Sequence, residues 1–260
     1  MSKIDLVLVC PGAADKLYQD LSKTFSAIEP NVWAGLLSNS CKRKGFSTAI
    51  IDMEAQGISA QELPSHVADF SPRFVLFVVT GQNPNASTAS MTGAVDAGKE
   101  LREQYPQYTI VFVGPHVNAL PMESLKAHDF INIVLTNEGV YSLLHLLSQK
   151  SIHSSLSNIK GIAYREGNDC YITPAEQIVP QEKLHIELPG VDYDSMPPLS
   201  QYRTSSWHSN YSGEPSPFAS IYTSLGCIYK CDFCMINIIN RTDNAEGKVS
   251  SDFNKFRYWE

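Results

Sequence analysis

With 260 residues, 43% of them hydrophobic and 18% charged, the chain has room for one full domain and part of a second, and the composition is that of a globular protein. Its net charge of −7 argues against a general binder of nucleic acid or anionic membrane, since counterion release needs a basic face. The apolar run IDLVLV is ended by Pro11 and Gly12, too short for the core of a signal peptide, and no longer run could span a bilayer. A cytoplasmic protein with reduced thiols is expected.

In chain order, strand-like runs at 4–9, 47–52, 74–79, 109–114 and 131–136 are short, β-branched and almost continuously apolar. Strands of that kind are covered on both faces, as in a parallel sheet. Between them the sequence predicts helices. Asn31 caps one that runs to about Lys44, with Gly45 after its end. Ser59 and Glu62 form a capping-box pair, a long helix spans about 87–104, Pro121 opens a short helix, and 138–148 makes the last.

This alternation predicts a doubly wound α/β domain with a five-stranded parallel, Rossmann-like sheet over residues 1–150, able to fold alone. A connector follows over 151–216. In it GIAYREGNDCYIT reads as a hairpin with its turn at Gly167-Asn168-Asp169. From 217 onward, FASIYTS (218–224) reads as one more buried strand that leads straight into Leu225-Gly226-Cys227.

The chain has six cysteines. Cys10, Cys41 and Cys170 are scattered and read as small apolar fillers, whereas Cys227, Cys231 and Cys234 crowd into a C-x3-C-x2-C spacing. Thiolates on one tight loop can converge on a cubane, each binding a separate iron and leaving a fourth open to a substrate. A structural zinc site is the rival reading. Zinc prefers four ligands in two pairs, and His208 or Cys170 would have to supply the fourth.

The cysteine spacing, with aromatic Phe233 just before Cys234, resembles the signature of the radical S-adenosylmethionine superfamily. Segment order resembles the cobalamin-binding members of that family. Val113-Gly114-Pro115-His116 is similar to their Gly-Gly-Pro-His loop and Asn137-Glu138-Gly139 to their Gly-Glu-Gly segment. Gly161-Ile162-Ala163-Tyr164-Arg165 is similar to their linker hairpin, and Leu188-Pro189 with Asp192-Tyr193-Asp194 to the stretch before their barrel. Val113 and Asn137 stand where the family has glycine, and the Asp-x-His-x-x-Gly loop that ligates cobalt in other cobalamin proteins is absent.

The resemblance implies a cobalamin-binding-like domain followed by the start of a partial (β/α) barrel. It implies a 4Fe–4S cluster on Cys227, Cys231 and Cys234, with S-adenosylmethionine chelating the open iron and Phe233 beside it. An electron donor would supply the reductant that cleaves S-adenosylmethionine, and a small molecule would be the substrate. Methyl transfer or rearrangement is the implied chemistry. Cobalamin would lie at the C-terminal edge of the sheet, against Pro11-Gly12, Thr80-Gly81-Gln82, Gly114-Pro115-His116 and Glu138-Gly139, the loops after strands one, three, four and five. Only 26 residues follow Cys234, too few for a partial barrel, so the chain reads either as a fragment of a longer enzyme, which the resemblance favours, or as a naturally shortened relative. The alternatives are a corrinoid-binding protein with a vestigial cluster loop and a zinc-stabilised interaction protein.

Overall fold

The structure, a computed structural model, describes residues 3–22, 26–81, 84–149, 156–203, 217–229, 231–237 and 256–259. Five parallel strands form its centre: β1 (Leu6–Cys10), β2 (Thr48–Asp52), β3 (Phe74–Val78), β4 (Thr109–Val113) and β5 (Ile133–Leu135). Every residue of β1, β3, β4 and β5 is buried, as a sheet covered on both faces requires.

Side chains alternate between two cores. Leu6, Leu8, Leu76 and Val111 pack beneath α2 (Val32–Arg43) and α8 (Val140–Ser148). Val7, Val9, Phe77 and Phe112 pack beneath α4 (Leu63–Ala68) and α5 (Ser87–Gln104). Phe77 and Phe112 stack there with ring centroids 4.8 Å apart. Asn31 caps α2 as expected, its Oδ1 accepting from Ala34 N at 3.0 Å, while its Nδ2 donates to Val78 O of β3. Of the Ser59–Glu62 capping box, the Glu62 half is present. Its carboxylate accepts from Ser59 N at 2.9 Å and from the Ser59 hydroxyl at 2.6 Å.

The sheet does not stop at five strands. The hairpin β6 (Ile162–Glu166) and β7 (Asp169–Ile172) adds antiparallel to β5, giving the order β2-β1-β3-β4-β5-β6-β7. Val134 of β5 pairs with Ala163, and β6 satisfies backbone groups that β5 would otherwise present as an open edge. Ile162 and Ala163 are completely buried.

The stretch after the hairpin is built into the domain. Asn39 Nδ2 donates to Gly190 O at 3.0 Å, Ser38 Oγ donates to Asp192 Oδ2 at 2.6 Å, and Lys42 Nζ lies 2.8 Å from the same oxygen. Tyr202 is 1% exposed and its hydroxyl donates to Asp52 Oδ2 at the end of β2. Arg203 bridges Ile28 on one side and Pro217 on the other. We therefore expect a fragment ending at Arg203 to unfold cooperatively at a clearly higher temperature than one ending at Lys150. Equal thermal midpoints would contradict this.

Beyond Pro217 the structure corrects the sequence reading. The segment 218–224 is not a buried strand: Ile221 is 71% exposed, and only β8 (Ser224–Leu225) is paired, antiparallel to β9 (Arg257–Tyr258). A short apolar run reads the same whether strands flank it or not, and among the described residues none flanks 218–223.

Candidate functional site

At the carboxyl edge of the sheet, β1 lies between β2 and β3. The connections leaving β1 and β3 diverge there, opening the crevice in which doubly wound sheets hold ligands. A cavity of about 850 Å³ occupies it. Its floor is Cys10 and Pro11 at the end of β1, Asp52 and Glu54 at the end of β2, and Thr80 and Gly81 just after β3. Leu17 and Tyr18 of α1 (Ala14–Tyr18) form one wall with Leu21, and Ala86, Ala89 and Ser90 at the start of α5 form another. Ser220 and Tyr222, just upstream of the cysteine loop, close a third side.

Of the sequence-predicted loops, this cavity gathers Pro11, Thr80 and Gly81. Gly12 lines an adjoining cavity of about 450 Å³ that shares Ala13 and Glu54 with the first. Gln82 lies outside the described residues. Gly114, Pro115 and His116 do not line either cavity. Gly114 sits at φ +143°, and a Cβ there would come within 2.0 Å of Val79 O, so the neighbouring strand's backbone explains this glycine. His116 faces Thr88, its Nδ1 3.0 Å from Thr88 Oγ1, and burial lowers its pKa.

The two departures from glycine are accommodated locally. Val113 is 1% exposed and packs into the core, in space left by Gly139, whose Cβ would meet Val113 Cγ2 at 3.0 Å. Asn137 takes φ +54°, a left-handed conformation that asparagine tolerates better than most residues. Glu138, between Asn137 and Gly139, bonds to Val179 and Arg257 and does not line the cavity.

Sequence reading passed over Asp52 and Glu54, although the loop after β2 opens on the same edge as the others. Burial pushes Glu54 up to about 7, and the nearby charge of Asp52 adds to the shift. Burial also raises Asp52, to about 6, against hydrogen bonds from Ala55 N and Tyr202. Unfolded carboxyl groups titrate at about 4. The native state thus binds these protons more tightly, and the stability this adds is complete below about pH 4 and lost as pH rises through about 7. Glu54→Gln is expected to raise stability at pH 8 by about 1–2 kcal/mol and to change it little at pH 4. Urea midpoints at the two pH values would check it.

The cysteine loop follows Leu225 and Gly226. Cys227 and Cys234 are partly buried and Cys231 is exposed. Tyr229 N donates to Cys227 Sγ at 3.4 Å, and Cys234 N to Cys231 O at 3.0 Å, which folds the loop back on itself. Met235 N donates to Asn85 Oδ1 at 2.8 Å, tying the end of the loop to the turn before α5. Phe233 is 84% exposed. The donor set has the chemistry of an iron–sulfur site, three thiols on one loop. Among the described residues, however, the structure does not draw three such ligands into metal-holding range.

The seven-stranded, mostly parallel sheet with an appended hairpin is a fold that this chain shares with two solved cobalamin-binding radical S-adenosylmethionine enzymes, OxsB and TsrM. OxsB with aqua-cobalamin and S-adenosylmethionine bound superposes with a TM-score of 0.66 at 16% identity, over 99% of this chain and 30% of that one. The methyltransferase TsrM of Kitasatospora setae, with cobalamin and a 4Fe–4S cluster bound, gives 0.61 at 18% identity, over 100% of this chain and 45% of TsrM. The chain is 24% identical over 195 residues to an uncharacterized methyltransferase, PH0819, of Pyrococcus horikoshii, covering 75% of this chain and 38% of that protein. To the cobalamin-dependent radical methyltransferase TokK of Streptomyces tokunonensis it is 25% identical over 139 residues, 52% of this chain and 19% of TokK. The chain thus spans well under half of these curated relatives, and no family model matches it. No helix among the described residues is long and apolar enough to cross a membrane.

Proposed function

We propose that this chain supplies the corrinoid-binding domain and cluster loop of a cobalamin-dependent radical S-adenosylmethionine methyltransferase. One observation carries this reading. The cavity at the β1–β3 crevice is closed on one side by Ser220 and Tyr222, the segment that leads into Cys227. Methyl transfer needs that juxtaposition, because the corrin and the cluster must face a common space.

On this reading Cys227, Cys231 and Cys234 hold the cluster, and the bound cofactors supply one-electron cleavage of S-adenosylmethionine and a transferable methyl group. The chain's own residues bind and shield. Leu17, Tyr18 and Tyr222 give the corrin an apolar wall and keep water from it. Thr80 and Ser90 offer hydroxyls to its amide side chains, and Glu54, near half-protonated at neutral pH, can donate or accept a hydrogen bond. Among the described residues no histidine lines the cavity, in keeping with the missing Asp-x-His-x-x-Gly loop. An electron donor and a small-molecule substrate complete the reaction.

Anaerobic reconstitution with iron and sulfide, followed by absorption and spin-resonance spectroscopy, tests the cluster, and hydroxocobalamin titration tests the cavity. Stoichiometric zinc without a cluster would instead favour the interaction-protein reading. Corrin binding without a cluster would favour a corrinoid-binding protein.

A further inference from the structure

Glu138 and Arg257 are 119 residues apart in sequence and meet in a two-pronged ion pair. Arg257 Nη1 lies 3.2 Å from Glu138 Oε2, and Nη2 donates to Oε1. Arg257 is 5% exposed and Glu138 12% exposed, so the pair is shielded from water. Its remaining capacity is used as well. Val179 N donates to Glu138 Oε2 at 2.8 Å, and Arg257 Nη1 donates to Val179 O. A buried charge pair left half-satisfied would be costly, and this one is not.

Arg257 is also the residue that pairs with Leu225 in the β8–β9 ladder, and only Gly226 separates Leu225 from Cys227. Neighbouring bonds reinforce the attachment. Gln181 Oε1 accepts from Tyr258 N at 3.0 Å and its Nε2 donates to Tyr258 O at 2.7 Å, while Trp259 Nε1 donates to Leu188 O at 2.8 Å.

We infer that the Glu138–Arg257 pair is a positioning clasp. It fixes the β8–β9 ladder, and through it the first cysteine of the cluster loop, against the α/β domain. The inference rests on the proposed cluster reading and assigns Glu138 to alignment of the loop, away from the corrin. A guanidinium fork against a carboxylate sets direction as well as distance, which a lysine in its place would not do.

The test compares the 260-residue wild type with Arg257→Lys, Glu138→Gln and, as a control at the opposite end of the sheet, Asp5→Asn. Asp5 pairs with Arg73 there, at 3.3 Å. In the iron-free proteins, hydrogen exchange at 223–229 is expected to quicken about tenfold or more in both clasp variants while the sheet strands keep wild-type protection. After anaerobic reconstitution, the clasp variants are expected to lose iron to a chelator several-fold faster and to show an altered spin-resonance line shape on adding S-adenosylmethionine. Asp5→Asn should match wild type in both assays. Unchanged exchange and unchanged iron loss in Arg257→Lys and Glu138→Gln would overturn the clasp. Loss of the sheet's own cooperative transition in both would also overturn it, by making the pair part of the general core. If wild type itself takes up no cluster, the proposed function fails while the exchange result still decides the clasp.

Discussion

Alanine at any one of Cys227, Cys231 or Cys234 is expected to cut bound iron and sulfide at least about tenfold after anaerobic reconstitution, a loss of ~1.4 kcal/mol of binding free energy or more. The three thiols are the only cysteines on the loop. Cys10 and Cys41 are buried within the sheet's core, where burial raises both thiols far from the thiolate form a metal needs. Cys170 stands on β7, on the hairpin. No spare cysteine lies within the loop to rescue a lost one. Iron and sulfide content unchanged in all three variants would remove the cysteine loop from consideration as a cluster site.

A second large effect is expected at the crevice. Ala89→Trp places an indole into the cavity from the first turns of α5, where Ala89 is only partly buried and no core contact is disturbed. Hydroxocobalamin affinity is expected to fall about tenfold or more, equivalent to ~1.4 kcal/mol or more, whereas Gln104→Trp at the exposed far end of the same helix should leave it unchanged. Gly114→Trp would be a poor probe, because Val79 O fills the space its side chain needs. Saturable binding that Ala89→Trp leaves untouched would move the corrin away from this crevice.

The central sheet was legible in the sequence because burial on both faces leaves a plain mark: runs such as FVLFVV (74–79) and IVFV (110–113) admit no polar residue. Asn31 and Gly45 marked the ends of α2 through their side-chain and backbone chemistry. The hairpin was legible as a hairpin, but its docking on β5 was not, since an antiparallel addition depends on which edge is free rather than on local pattern. Pro11, Thr80 and Gly81 could be named as crevice residues from strand order alone. Asp52 and Glu54 could have been named by the same rule, since β2 ends on the same edge. Arg257 carried no local signal at all, because its partner is brought to it only by the finished sheet.

Arg203 and Pro217 bridge one another, and Arg203 is also bridged to Ile28 beside the crevice. Residues 203 and 217 are therefore held to each other and to the α/β domain at one fixed point. For the proposed enzyme this replaces a diffusional encounter by a standing local concentration of the cluster loop at the crevice, of the order reached with short linkers, ~1 mM or more. Transfer between the two centres would then be first order and indifferent to dilution of the protein.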